Sequence, residues 1–74
     1  MNINDFIQNF ADQFEETDGI NAGTKFHDLE ELGSLIGLSI IAMIDDEYDV
    51  VIKGDELRAC VTVQDVYDLV NIKK

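Results

Sequence analysis

The chain has 74 residues, a length that predicts one domain covering residues 1–74. Sixteen Asp and Glu residues against five Lys and Arg residues give a net charge of −11. Binding to nucleic acid or to an anionic membrane surface needs clustered cations, so this composition argues against both. The charge favours partner proteins with basic patches, although it would also serve to keep a small monomer soluble.

Cysteine usage and hydropathy indicate the compartment. The single cysteine, Cys60, has no partner for a disulfide within the chain, which suits a reducing cytoplasm. Residues 1–5 have neither the basic residues nor the apolar run of a signal peptide. No stretch reaches the roughly 18 uncharged apolar residues needed to cross a bilayer. We therefore expect a cytoplasmic protein without a membrane segment.

Apolar periodicity predicts the first two helices. A stripe of apolar residues spaced by three and four predicts an amphipathic helix with Asn4 as its N-cap and an end near Glu16. Residues 17–33 are predicted to be mostly loop, with room for one helical turn at 28–32. A second helix is predicted over 34–47, and it is apolar almost all the way round. A chain of this length cannot bury every side of such a helix, so part of it is expected to be an exposed interaction site.

The C-terminal third predicts two shorter pieces of helix. Residues 48–52 alternate as a strand would but have no second strand to pair with, so we expect an extended connector with buried side chains. One short helical turn is predicted in residues 53–58. Thr62 is predicted to cap a last helix, with Asp65 completing a capping box. The fold class that follows is all-α, a small four-helix bundle of three main helices and one short helix.

The residues that could carry chemistry are few. His27 and Ser34 lack the third group and the oxyanion motif of a catalytic triad, so His27 is interpreted as a surface loop residue. Cys60 lies between apolar neighbours and is expected to be a small buried hydrophobe. The acidic residues from Asp45 to Glu56 miss the glycine that a calcium loop needs, and no metal site is predicted. Ser34 itself has two readings: the cap of the second helix, or a serine whose attached phosphodiester would meet unpaired N–H groups.

A longer pattern surrounds Ser34. Gly33-Ser34-Leu35 is followed by apolar residues at regular steps, an acidic triplet with an aromatic residue, and the start of the last helix; these are Leu38, Ile41, Ile44, Asp45-Asp46-Glu47-Tyr48, Ile52 and Thr62-Val63-Gln64. In order and spacing, the stretch from Phe26 to Val70 resembles the acyl carrier protein family. That family has Asp-Ser-Leu at the start of its second helix, where this chain has Gly-Ser-Leu.

The resemblance implies an acyl-carrier-like bundle with 4′-phosphopantetheine attached covalently to Ser34. A magnesium-dependent phosphopantetheinyl transferase would install the arm from coenzyme A, and acyl groups would be held on it as thioesters. The chain would then serve acyl-transferring and condensing enzymes without catalysing a reaction itself. The resemblance implies two residue sets. Partner-binding residues would be Leu35, Ile36, Ser39, Ala42, Asp45, Asp46 and Glu47, and the acyl-chain cavity would be lined by Phe10, Leu38, Ile41, Ile44 and Leu57.

Departures from the family pattern bear on the pathway. Gly33 replaces the family's aspartate, Ile36 and Ser39 occupy positions that are usually acidic, and Gly37 adds a flexible point. We therefore expect a divergent carrier with more apolar partner contacts, in fatty-acid synthesis or a specialised lipid or polyketide-type pathway. A carrier of aminoacyl groups on the same arm, and an unmodified acidic interaction module, both remain open at this point.

Overall fold

Four helices account for most of the computed structural model, which describes residues 2–15, 19–29 and 32–74. They are α1 (Ile3–Ala11), α2 (Ser34–Tyr48), α3 (Gly54–Ala59) and α4 (Val63–Lys73), with a short 3₁₀ turn at Phe26–Asp28. Across the described ranges there is no strand, only an isolated bridge between Lys25 and Thr62. The predicted all-α bundle of three main helices and one short helix is confirmed.

The bounds of α1 differ from the prediction at both ends. The predicted Asn4 cap is wrong, because the Asn2 side chain is the cap and accepts a hydrogen bond from the Asn4 N–H at 2.8 Å. The helix ends at Ala11, well before Glu16, which itself lies outside the described residues. The chain tightens after Ala11, and the Phe14 N–H donates to the Ala11 carbonyl at 2.9 Å, as in a 3₁₀ turn. This turn leaves the Phe14 side chain buried in the core.

Aromatic side chains of α1 form the centre of the core. Phe6 and Phe10 are completely buried. The Phe10 ring lies 5.4 Å from that of Phe26 in an edge-to-face arrangement, and the Phe6 ring lies 5.5 Å from those of both Tyr48 and Tyr67. Aromatic pairs at these distances add about 0.5–1.5 kcal/mol each beyond the burial of their area. The phenylalanines of α1 therefore join the loop, α2 and α4 into one core.

α2 is one residue longer than predicted, because the chain leaves the helix at Asp49 in a left-handed conformation with φ of 57°. Ile40, Met43 and Ile44 are its buried residues. The connector after it is extended, and Val50 and Ile52 are buried, as predicted. None of the helices in the described part of the chain has the length and apolar character to cross a membrane.

The start of α4 is held by its own cap and by the long loop. The Thr62 hydroxyl accepts from the Asp65 N–H at 3.2 Å, and the Asp65 carboxylate accepts from the Val61 and Thr62 N–H groups at 3.0 Å each. The predicted capping box is confirmed. Loop carbonyls satisfy the next two donors, since the Val63 N–H donates to Thr24 at 3.2 Å and the Gln64 N–H to Ala22 at 2.9 Å. The loop and α4 are thus joined through the backbone.

Truncation of Phe10 to Ala should lower the free energy of unfolding by about 3–5 kcal/mol, because it leaves a cavity among aromatic rings in a small core. Chemical denaturation followed by circular dichroism measures the change. Ile72→Ala is the control, since the Ile72 side chain is 80% exposed and its loss should change stability little. Equal effects of the two substitutions would contradict the packing described for α1.

The Asp65 cap predicts a pH-dependent stability difference. Hydrogen bonds from the Thr62 and Val61 N–H groups lower the pKa of the Asp65 carboxyl in the folded state. Its stabilising effect is therefore present above the carboxyl's ordinary pKa and is lost as pH falls through the lowered folded-state value. Wild type should be more stable than Asp65→Asn at neutral pH, and the gap in free energy of unfolding should close towards acid. A gap that is constant with pH would contradict a charged cap.

Candidate functional site

Ser34 is the first residue of α2, and Gly33 occupies the N-cap position with extended backbone. The reading of Ser34 as the helix cap is therefore wrong. Its side chain is exposed. The first hydrogen bond of the helix joins the Gly37 N–H to the Gly33 carbonyl at 2.9 Å, so the N–H groups of the preceding turn have no partner within the helix.

Neither the N-cap residue nor the first turn of α2 carries a compensating negative charge. No side chain caps it, and its first turn contains no acidic residue. A Cβ built on Gly33 would meet nothing within 4 Å, so glycine is not required there by crowding. Unpaired N–H groups and the positive end of the helix dipole suit an anion attached to an exposed hydroxyl. The residues present at Ser34 therefore fit a serine-linked phosphodiester.

A groove of about 390 Å³ opens beside Ser34 between α2 and α3. Its lining combines apolar side chains with three glycines and two basic side chains; the residues are His27, Leu32, Gly33, Ser34, Gly37, Leu38, Ile41, Gly54, Leu57 and Arg58. The volume lies near the lower end of the range for small-molecule sites, about 300–1,000 Å³. A chain attached at Ser34 would find an apolar surface directly next to its point of attachment.

The five residues predicted for the acyl-chain cavity lie in two different places, three in the groove and two in the core. Leu38, Ile41 and Leu57 line the groove. Phe10 and Ile44 do not line it, because both are completely buried in the core. Phe10 packs against Phe26 instead. The groove is therefore shallower than the predicted set implies, and it runs along the core without entering it.

The predicted partner-binding residues fall into two groups. Five of them line a broad concavity of about 810 Å³, together with Gln13, Met43 and Asp49; the five are Ser39, Ala42, Asp45, Asp46 and Glu47. We call this the acidic face. Leu35 lies apart from it and is 76% exposed next to Ser34. Ile36 is partly buried against the core, so only part of its side chain is available to a partner.

Most of the polar and glycine lining of the groove was not predicted from the sequence. Arg58 and Gly54 received no functional assignment, and His27 was interpreted only as a surface loop residue. His27 lies at the surface, but its Nε2 is 2.9 Å from the Cys60 carbonyl oxygen, which requires Nε2 to carry the proton and donate. Gly37 was the residue in the sequence that could have indicated a groove, because a glycine one turn after Ser34 leaves the surface of α2 without a side chain there.

Neither His27 nor Cys60 is arranged for nucleophilic catalysis. The Nε2–H of His27 is committed to a backbone carbonyl, and no hydrogen bond joins the other ring nitrogen to the Ser34 hydroxyl. Burial raises the pKa of the Cys60 thiol, and the nearby Asp65 and Glu56 carboxylates raise it further. A protonated, buried thiol is unreactive. Among the residues that the structure describes, no cluster of His, Cys, Asp and Glu side chains is arranged to hold a metal ion.

Comparison with known proteins gives one family. The sequence model of the family described as "Phosphopantetheine attachment site" matches residues 4–70. This range contains α2 and α3 entirely, and it omits only the first residue of α1 and the last three residues of α4. Neither the curated proteins nor the solved structures gave a match.

Gly33→Asp should stabilise the start of α2, because an aspartate at the N-cap can accept from a first-turn N–H and complements the helix dipole. We expect a gain of about 0.5 kcal/mol in free energy of unfolding. Slower amide hydrogen exchange in the first turn of α2 measures it. Gly19→Asp is the matched control and should destabilise, since φ at Gly19 is 82°. Faster exchange in α2 after Gly33→Asp would contradict an open cap.

Proposed function

The chain belongs to the phosphopantetheine attachment-site family, and we propose that it holds acyl groups as thioesters on a 4′-phosphopantetheine arm joined to Ser34. The observation that carries this proposal is the setting of Ser34: an exposed hydroxyl at an uncapped helix start, opening onto a largely apolar groove. The chain has one other serine, Ser39, which lies within α2 away from its N-terminus.

Different groups around Ser34 would bind different parts of the arm. The Ser34 oxygen forms the ester bond, and the N–H groups of the first turn of α2 face the attached phosphate charge. The arm, when bound, supplies a thiol that forms a thioester with the acyl group. Leu38, Ile41 and Leu57 give the groove its apolar walls. Tethering raises the effective concentration of the acyl group at each enzyme that the protein meets.

Members of this family interact with a phosphopantetheinyl transferase and with partner enzymes. We propose that this chain binds such enzymes through the acidic face and through Leu35. The acidic face carries Asp45, Asp46 and Glu47 on a protein of net charge −11, so it complements basic patches and would speed encounter with them. Leu35 offers an exposed apolar contact next to Ser34.

The first turn of α2 bears on which pathway the carrier serves. Carriers of the family are not themselves catalytic, and their cargo depends on the enzymes that load them. Gly33 and the partly buried Ile36 leave the first turn of α2 without negative charge, which supports a specialised lipid or polyketide-type pathway over bulk fatty-acid synthesis. Aminoacyl cargo on the same arm is the second candidate.

We further propose a single carrier domain over residues 1–74, monomeric and cytoplasmic. One buried cysteine and a strong net charge support this proposal.

Ser34→Ala tests the attachment site. Incubation with coenzyme A, Mg²⁺ and a phosphopantetheinyl transferase should raise the intact mass of the wild-type chain by one arm. The substitution should abolish the increase and leave the circular dichroism spectrum unchanged, because Ser34 is exposed and does not cap α2.

Ser39→Ala is the control for the site of attachment, since it removes the other serine hydroxyl of the same helix. Because Ser39 lies in the acidic face, only the final mass and not the rate is compared, and that mass should show one arm, as in wild type. An arm on Ser34→Ala, or modification lost in Ser39→Ala alone, would contradict the assignment. No modification by any of several transferases would favour an unmodified interaction module. Esterase activity that disappears in Ser34→Ala would point to a hydrolase.

A further inference from the structure

Arg58 is a cation at the groove that pairs with no carboxylate of residues 2–15, 19–29 and 32–74, in a strongly acidic protein. It is the only arginine of a chain with 16 carboxylate side chains. Lys73 pairs with Glu56 at 3.0 Å, whereas no carboxylate of the described residues lies within ion-pair distance of the Arg58 guanidinium. With respect to these residues the guanidinium is open to a ligand, and its planar set of N–H donors suits a carboxylate or a phosphate.

The Arg58 side chain lies back along α3 at the edge of the groove. Its Nη1 is 3.7 Å from the position that a Cβ on Gly54 would occupy, and both residues line the groove with Ser34. His27, the other basic side chain there, already donates its Nε2–H to the Cys60 carbonyl oxygen. Of these two basic side chains, the guanidinium is therefore the one that no described residue engages in a hydrogen bond or an ion pair.

We propose that Arg58 makes the groove selective for acyl groups that end in a free carboxylate. This inference rests on the proposed attachment of the arm at Ser34. Leu38, Ile41 and Leu57 offer contacts for methylene groups, and the guanidinium offers two parallel N–H donors for a carboxylate. A short dicarboxylic half-thioester has both features, and a groove of about 390 Å³ suits a short chain.

The phosphodiester of the arm is the other anion that could reach Arg58. It would be fixed at the Ser34 oxygen, where the unpaired N–H groups of α2 already meet its charge. Arg58 belongs to the last turn of a different helix, α3. A carboxylate at the far end of the acyl group can lie along the groove towards α3, so the distal carboxylate is the better ligand for Arg58.

Nitrogen-15 NMR can test the proposal directly, because a single arginine gives a single Nε–H signal. The protein is compared with the arm alone, with the arm carrying a succinyl group, and with the arm carrying a butyryl group, both acyl groups joined through a hydrolysis-resistant amide. Succinyl loading should slow hydrogen exchange of the Arg58 Nε–H by about fivefold, the factor for an exposed ion pair. The unacylated arm and the butyryl arm should leave the rate unchanged.

Arg58→Gln provides the second readout. Methyl signals of Leu38 and Leu57 should return to their unacylated positions in the succinyl-loaded variant and stay shifted in the butyryl-loaded variant. Lys53→Gln is the control, because it removes the same charge at the start of α3 from a residue outside the groove lining, and it should behave like wild type.

Two results would overturn the selectivity alone. Exchange slowed equally by the unacylated arm would assign Arg58 to the phosphodiester, and no slowing in any form would show that the arginine binds neither anion. Failure to install any arm on Ser34 would overturn the proposed function and this inference together.

Discussion

The packing of the α1 phenylalanines is the interaction on which the rest of the molecule depends. With Phe6 and Phe10 fully buried, one helix supplies the rings that touch the loop, α2 and α4. The long loop contributes Phe26 to the same cluster, so the segment before Ser34 is attached to the core by an aromatic contact and by its hydrogen bonds to α4. A chain this small has no second core to compensate if these contacts are lost.

One consequence is that α2 packs against both α1 and α3 but is not enclosed by them. Its buried residues, Ile40, Met43 and Ile44, belong to the core, and other parts of its surface line the groove and the acidic face. The groove occupies one part of that surface and the acidic face another, with Ser34 at the end where the N–H groups are unpaired. A helix that is apolar almost all round thus serves the core and a ligand surface at once.

The sequence was informative where a signal is local. The apolar stripe of α1, the Thr62–Asp65 capping box and the position of Ser34 at a helix start all follow from short-range spacing, and the structure has each of them. Two predictions depended on how elements meet. Phe10 and Ile44 were assigned to the cavity from the family resemblance, yet both are completely buried in the core, where Phe10 packs against Phe26 of the loop. Arg58 shares a groove with Ser34 only because α3 packs beside α2, which no local pattern shows.

The short length of α3 bears on the size of the acyl group that the groove could hold. Six residues make fewer than two turns, too few for a helix to be stable by itself, and Leu57 is the residue of α3 that is buried. Outward displacement of this wall would expose one side chain and leave the aromatic cluster intact. Segments with so few buried contacts are the ones that open at least cost. α3 is therefore the wall of the groove whose displacement would cost least, and the volume of about 390 Å³ belongs to the groove with Leu57 packed in the core.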